Sequence, residues 1–209
     1  MDGPDAAQEP QGQTLMVIFS LGGVHMAGHV RPRAVRCQPA FVPLQGEPQV
    51  VLDPFPEKGH RGTVEGGQVR IGPGDARPLA AAARGGRWDD LDLAAFAARQ
   101  LWAWVALPLV LARPEVSVRA AGHRRLEVTV PAQWPAPPGP HVLHLDGDDL
   151  VVRHEEAGGL VHELVEHCEF SGVPVATRRR TRGRGGVTVL WADVVAAAVH
   201  PSVAQKPLN

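Results

Sequence analysis

Histidines and carboxylates crowd the C-terminal third of the chain. The run His162-Glu163-Leu164-Val165-Glu166-His167 invites a zinc reading. A zincin helix needs two histidines at i and i+4, and the residue four after His162 is Glu166. The inverted form fails as well, because His162 and His167 are one residue too far apart. As a strand, the run places His162 and Glu166 on one face and Glu163 and His167 on the other. That suits acid–base contact with a ligand, or a solvated strand face; no metal is expected. His141 shares a face with Leu143 and Leu145, and His144 shares the opposite one with Val142. One of the two points into any concavity this strand lines, and a histidine there can titrate near neutrality. We take His144 as the candidate. Glu155-Glu156 follows His154, and adjacent strand residues face opposite ways, so only one of the two can serve. His144, Glu155, His162 and Glu166 are therefore the candidate acid–base groups.

Arg178-Arg179-Arg180-Thr181-Arg182-Gly183-Arg184 is the strongest local charge. On a strand, Arg178, Arg180, Arg182 and Arg184 make one stripe, either a solvated hairpin face or an anion grip at a pocket rim. Arg178 and Arg180 are the candidates for that grip. A nucleic-acid partner is not expected, because the whole chain carries a formal net charge of −1. Cys37 and Cys168 are too few for a disulfide scaffold or a zinc ribbon. Cys168 lies between His167 and Glu169, and strand neighbours point apart, so it reads as a core thiol and not a Cys–His nucleophile. No phosphate loop and no Gly-x-Ser-x-Gly occur, and no cofactor is expected.

The elements that must position these groups are short and closely spaced. With 209 residues the chain suggests one domain, and its 23 glycines and 20 prolines cut it into small pieces. Alternation predicts a first strand from Thr14 to Leu21, then a bend at Gly22-Gly23 beyond which Val24–Val30 could continue it. Arg33–Cys37, Gln49–Asp53, Arg61–Glu65 and Gln68–Ile71 are strand candidates, the last two joined by a tight turn at Gly66-Gly67. One helix stands out, Asp89–Leu107, with Asp89 or Asp90 as cap and Leu91, Ala94, Ala95, Ala98, Leu101, Trp102 and Val105 at helical spacing. It carries Phe96, Trp102 and Trp104, so it must lie on something apolar; these three are the candidate ligand contacts. Strands follow between 117 and 191 with links too short for parallel crossovers. The reading is α+β, a strongly curved antiparallel sheet of about 9–11 strands with one main helix lidding its concave face. Residues 1–13 and 201–209 read as tails around one domain, 14–200. No basic region precedes the short apolar run Leu15–Phe19, and no run is long enough to span a membrane; a cytoplasmic location is expected.

Several segments taken together resemble a family of uncharacterised bacterial proteins with a LolA-like fold. They are Leu101-Trp102-Ala103-Trp104 running into Leu107-Pro108-Leu109-Val110-Leu111, Arg124-Arg125-Leu126-Glu127-Val128-Thr129-Val130-Pro131, Leu150-Val151-Val152-Arg153-His154-Glu155, and Phe170-Ser171-Gly172-Val173-Pro174-Val175-Ala176-Thr177-Arg178-Arg179-Arg180. The resemblance implies the half-open barrel of lipoprotein carriers, in which helices lid an apolar cavity. Where the family has Asp-Tyr this chain has Glu155-Glu156, and lipoprotein trafficking is not implied. The expectation is binding of an apolar or amphipathic small molecule or acyl chain in that cavity. The alternative is a cofactor-independent cyclase, isomerase or hydrolase acting there on a natural product through His/Glu acid–base chemistry. The sequence leaves the oligomeric state open.

Overall fold

The computed structural model describes residues 12–27, 34–84, 86–183 and 185–201. Its strands run β1 (Gln13–Gly22), β2 (Ala34–Pro43), β3 (Gln49–Leu52), β4 (Gly62–Glu65), β5 (Gln68–Ile71) and β6 (Asp75–Pro78). After the main helix come β7 (Ser117–Ala120), β8 (Arg125–Thr129), β9 (His141–Leu145), β10 (Val151–Glu156), β11 (Val161–Phe170), β12 (Val173–Arg182) and β13 (Thr188–Pro201). The helices are a single turn, α1 (Val24–Ala27), and the main helix α2 (Asp90–Val105).

All 13 strands form one antiparallel sheet in the order β6-β5-β4-β3-β2-β1-β13-β12-β11-β10-β9-β8-β7. It consists of two meanders joined by the pairing of the first strand with the last. That seam runs unbroken from Gln13↔Pro201 to Ile18↔Ala196 and resumes after a bulge at Phe19↔Val194. The sheet is larger than the about 9–11 strands expected; Asp75–Pro78, which matched no strand candidate, adds β6 as one edge. The tight turn at Gly66-Gly67 is as expected, with both φ angles positive and Glu65 paired to Gln68. Beyond Gly22 the strand does not continue. Gly23 turns at φ +141 with its α-carbon against the Val189 carbonyl, where any side chain would collide, and α1 follows. Of the expected tails, Gln13 and Pro201 lie within strands, while 1–11 and 202–209 fall outside the described residues.

β6 and β7 are the two edges of the sheet, and α2 carries the chain from one to the other across the concave face. A 16-residue helix is about 24 Å long, whereas 13 flat strands would set the edges roughly 58 Å apart, so curling of the sheet brings them together. The helix start is fixed by a reciprocal cap: Asp89 accepts from the Asp92 N–H at 2.9 Å, and Asp92 accepts from the Asp89 N–H at 3.2 Å. Arg77 on β6 bridges both carboxylates, at 2.5 and 2.6 Å, and ties this end to the edge strand. From Ala94 to Val105 every residue except Arg99 is buried. A helix with apolar residues all round has to be enclosed, and α2 contacts β3–β6 on one flank and β12 on the other. One continuous apolar core results, with Leu15, Val17, Phe19 and Leu21 of β1 at its centre.

Candidate functional site

Under the second flank of α2 the concave face turns polar. Cross-strand pairing aligns one inward row, Leu143–His154–His162–Thr181–Leu190, over five strands. Two residues further along β10, Glu156 pairs with His141, and the next row on the other side joins Leu164, Arg179 and Ala192. Side chains two apart on a strand share a face, so His141, His154, Glu156, His162, Arg179 and Thr181 converge in the interior. His141, His154, His162, Arg179 and Thr181 are each at most 1% exposed.

These groups largely satisfy one another; among the described residues only His141 Nε2 and Arg179 Nε are left without a partner. His162 has Glu156 Oε1 at 2.7 Å from Nε2 and Thr181 Oγ1 at 2.8 Å from Nδ1. A carboxylate only accepts, so neutral His162 donates from Nε2 and accepts from the Thr181 hydroxyl at Nδ1. His141 Nδ1 and His154 Nε2 share a hydrogen bond of 2.8 Å. Arg179 reaches up to the lid, donating to the Gln100 carbonyl at 2.6 Å and to Gln100 Oε1 at 2.9 Å, and stands 3.5 Å from Glu156 Oε1. Burial, followed by the Arg179 and His141 charges, pushes His162 far below its ordinary range. Burial also lowers His154, with His162 and Arg179 adding to the effect, and lowers His141 against the opposing charge of Glu156. Arg179 is pushed down to about 10 by burial, with Glu156 holding it up. At neutral pH the cluster therefore holds three neutral histidines beside one Arg–Glu pair. The donor atoms of His154, Glu156 and His162 lie within 4.8 Å of one another, a set that could ligate a divalent ion. The Arg179 guanidinium on the same carboxylate, and hydrogen-bond lengths throughout, fit a proton-bearing network better than a cation site.

The structure puts His162 in this interior cluster and turns the other acid–base candidates outward. His144 faces outward, 2.8 Å from Glu155, which Arg153 also holds at 2.9 Å; the inward partners are His141 and Glu156. Glu166 does not share the His162 face. Its φ of +58 breaks the alternation, and it is exposed, paired with Arg178 at 2.7 Å. Arg178, Arg180 and Arg182 form an outward stripe neutralised by Glu166, Asp193 and Glu163, while Arg179 between them is buried. Arg184 lies outside the described residues. Cys168 is exposed, not the core thiol expected. The overlooked residues had signals. His141 shares its parity with Leu143 and Leu145, and Arg179 shares its parity with Thr181, the least polar residue in a run of arginines.

The space beneath the middle of α2 is filled by Leu101, Trp102 and Phe19. Trp102 packs edge-on against Trp134 with ring centroids 5.7 Å apart, and Phe96 packs on Trp88 and His25 at 4.8 and 5.6 Å. A cleft of about 310 Å³ opens at the C-terminal end of the helix, lined by Trp104, Leu109, Leu111, Leu145, Leu164 and Ala176. His167 also faces it, tied to the Val151 carbonyl at 3.1 Å. The Trp104 indole N–H is buried with no acceptor among the described residues. Of the three expected aromatic contacts, Trp104 lines this cleft. A second apolar cavity, about 510 Å³, lies on the outer face over Met16, Phe41 and Val51, and a third, about 580 Å³, flanks Arg99.

No protein-family model and no curated protein sequence matches this chain. Solved structures do. A DUF1329 family protein from Desulfovibrio piger aligns with a TM-score of 0.51 at 11% identity, covering 96% of this chain and 90% of that one. A LolA superfamily protein from Nitrosomonas europaea gives 0.51 at 13% identity, over 91% and 87%. A domain from Vibrio parahaemolyticus, described as a candidate outer membrane lipoprotein-sorting protein, gives 0.52 at 7% identity, over 94% and 89%. At such identities the likeness speaks for the fold alone: an open antiparallel half-barrel crossed by one main helix, which is LolA-like.

Proposed function

We propose that the protein binds a hydrophobic or amphipathic small molecule, such as an acyl chain, in the cleft at the C-terminal end of α2. The cleft itself carries this reading. About 310 Å³ of mostly apolar space, with Asp149 and His167 on its wall and an unpaired Trp104 indole donor, is the usual make-up of a small-molecule site. The neighbours add support, since one is named for lipoprotein sorting and another for the LolA superfamily. The test is native mass spectrometry of the purified chain, followed by titration with a fluorescent fatty acid. A bound apolar species, lost in Ala176→Trp while circular dichroism stays unchanged, is the expected result. A wild-type chain that carries nothing and takes up no fatty acid would overturn it, as would an Ala176→Trp variant that binds equally well.

A second reading, acid–base catalysis, draws on the 2.7 Å His162–Glu156 contact beneath the lid. Substrate would reach it only if α2 lifts, because His162 is fully buried and lines none of the three cavities. His162→Gln separates the two readings: loss of turnover with ligand uptake retained supports catalysis, and loss of neither removes it.

A further inference from the structure

Arg99 is out of keeping with the other arginines. Five described arginines are not exposed: Arg77, Arg99, Arg113, Arg179 and Arg180. Four of them have a carboxylate oxygen within 4.0 Å, and Arg99 has none. Among the described residues its one hydrogen bond runs from Nη2 to the Leu79 carbonyl at 2.8 Å, and its Nε–H is buried without an acceptor. Half-buried cations are normally paired, because leaving water without a counter-charge is costly. Here burial lowers Arg99 first and a second cation, Arg84, lowers it further, with the more distant Glu156 carboxylate opposing both.

Both arginines line the cavity of about 580 Å³ formed by the segment after β6, α2 and the loop between β8 and β9. Among the described residues no aspartate or glutamate lines it. Apart from the two guanidiniums its walls are largely hydrocarbon, including Ala80, Ala83, Val130, Pro131, Pro137 and Pro140. Arg99 and Trp104 are five residues apart, about 140° around the helix, so this cavity and the cleft lie on different flanks of the lid.

We propose that this cavity is a second ligand site, in which Arg99 and Arg84 grip the oxyanion head of an amphipathic molecule whose apolar body lies along the proline- and alanine-lined wall. A guanidinium matches a carboxylate or phosphate through two parallel hydrogen bonds, and the orphaned Nε–H is one of the donors required. The site stands apart from the cleft and does not depend on it.

Titration calorimetry on the full chain tests it with laurate, dodecyl phosphate, dodecanol and inorganic phosphate. At least one of the two anionic amphiphiles binds more tightly than dodecanol and than inorganic phosphate, and the tighter of them names the head group. Arg99→Gln weakens that binding at least about tenfold, the scale of a lost charged hydrogen bond, and Arg84→Gln weakens it less. Without ligand Arg99→Gln melts no lower than wild type, since the arginine has no ion pair to lose and the Leu79 carbonyl still accepts from the Ala82 N–H at 3.2 Å. Dodecanol binding as tightly as laurate and dodecyl phosphate overturns the proposal, as does full affinity retained in both arginine variants. Native mass spectrometry separates this site from the cleft. The anionic amphiphile adds to any cargo already present, whereas one-for-one displacement would place it in the cleft and sink this inference while leaving the first reading standing.

Discussion

The two flanks of α2 rest on the same sheet and differ in what fills the space between. On the β1–β6 side, Val42, Val50, Leu52, Val64 and Val69 meet the helix as plain hydrocarbon. On the β9–β12 side the same depth holds three histidines, a glutamate, a threonine and an arginine. The first half needs only to exclude water. The second pays for its polar groups by hydrogen-bonding them to one another and, through Arg179, to the backbone of the lid. A buried network in which, among the described residues, only His141 Nε2 and Arg179 Nε lack a partner fixes geometry in a way that interchangeable methyl groups do not. Arg179 on the polar flank and Arg77 on β6 are thus the charged ties that set where α2 sits, and the cleft lies at the end of the polar flank.

Breaking the comparison begins with Arg179→Ala. It strips Gln100 of both donors and leaves Glu156 buried without its cation, so about 3–5 kcal/mol of stability is lost, read by urea unfolding. Leu52→Ala in the dry half costs about 2–5 kcal/mol through transfer and cavity terms. The two substitutions differ in character. The Leu52→Ala loss is the same at pH 7.5 and pH 5.5, whereas Arg179→Ala changes the environment of the histidines, and its loss shifts with pH.

Acid sharpens the contrast next. His141, His154 and His162 are all lowered in the folded state, so below the ordinary value of about 6.5 the unfolded chain takes up protons that the folded chain refuses. Their contribution is complete above that value and is lost as pH falls through it, by up to about 1.4 kcal/mol per pH unit for each histidine. His154→Leu flattens that acid limb by up to one such slope. An unchanged slope in the variant would show that the cluster is not what senses acid. The smallest effect is expected on the outer face. Arg178 and Glu166 are each 53% exposed, so Arg178→Ala changes stability by less than about 0.5 kcal/mol.

Much of this architecture was written locally. The short spacing of turns excluded parallel crossovers, the Asp89–Asp92 cap opened the one long helix, and the aromatic load of that helix required an apolar bed. The candidate site was legible only in part. The sequence left His162 between a ligand-facing and a solvated strand face, and the structure buries it, while His144, Glu155, Arg178 and Arg180 each sit one to three positions from the inward residues His141, Glu156 and Arg179.

From the sequence alone came the period of two and the residues that alternate along each strand. The tertiary structure decided which alternate face is the inner one, because that depends on pairing between strands far apart in the chain. A register shift between Val151 and Arg153 on β10, and a left-handed residue at Glu166 on β11, each invert the parity that simple counting assumes. One residue of offset carries every side chain on a strand to the opposite face. Cross-strand registry is not encoded in any single segment, so only the folded sheet could bring His141, His154, Glu156, His162 and Arg179 together.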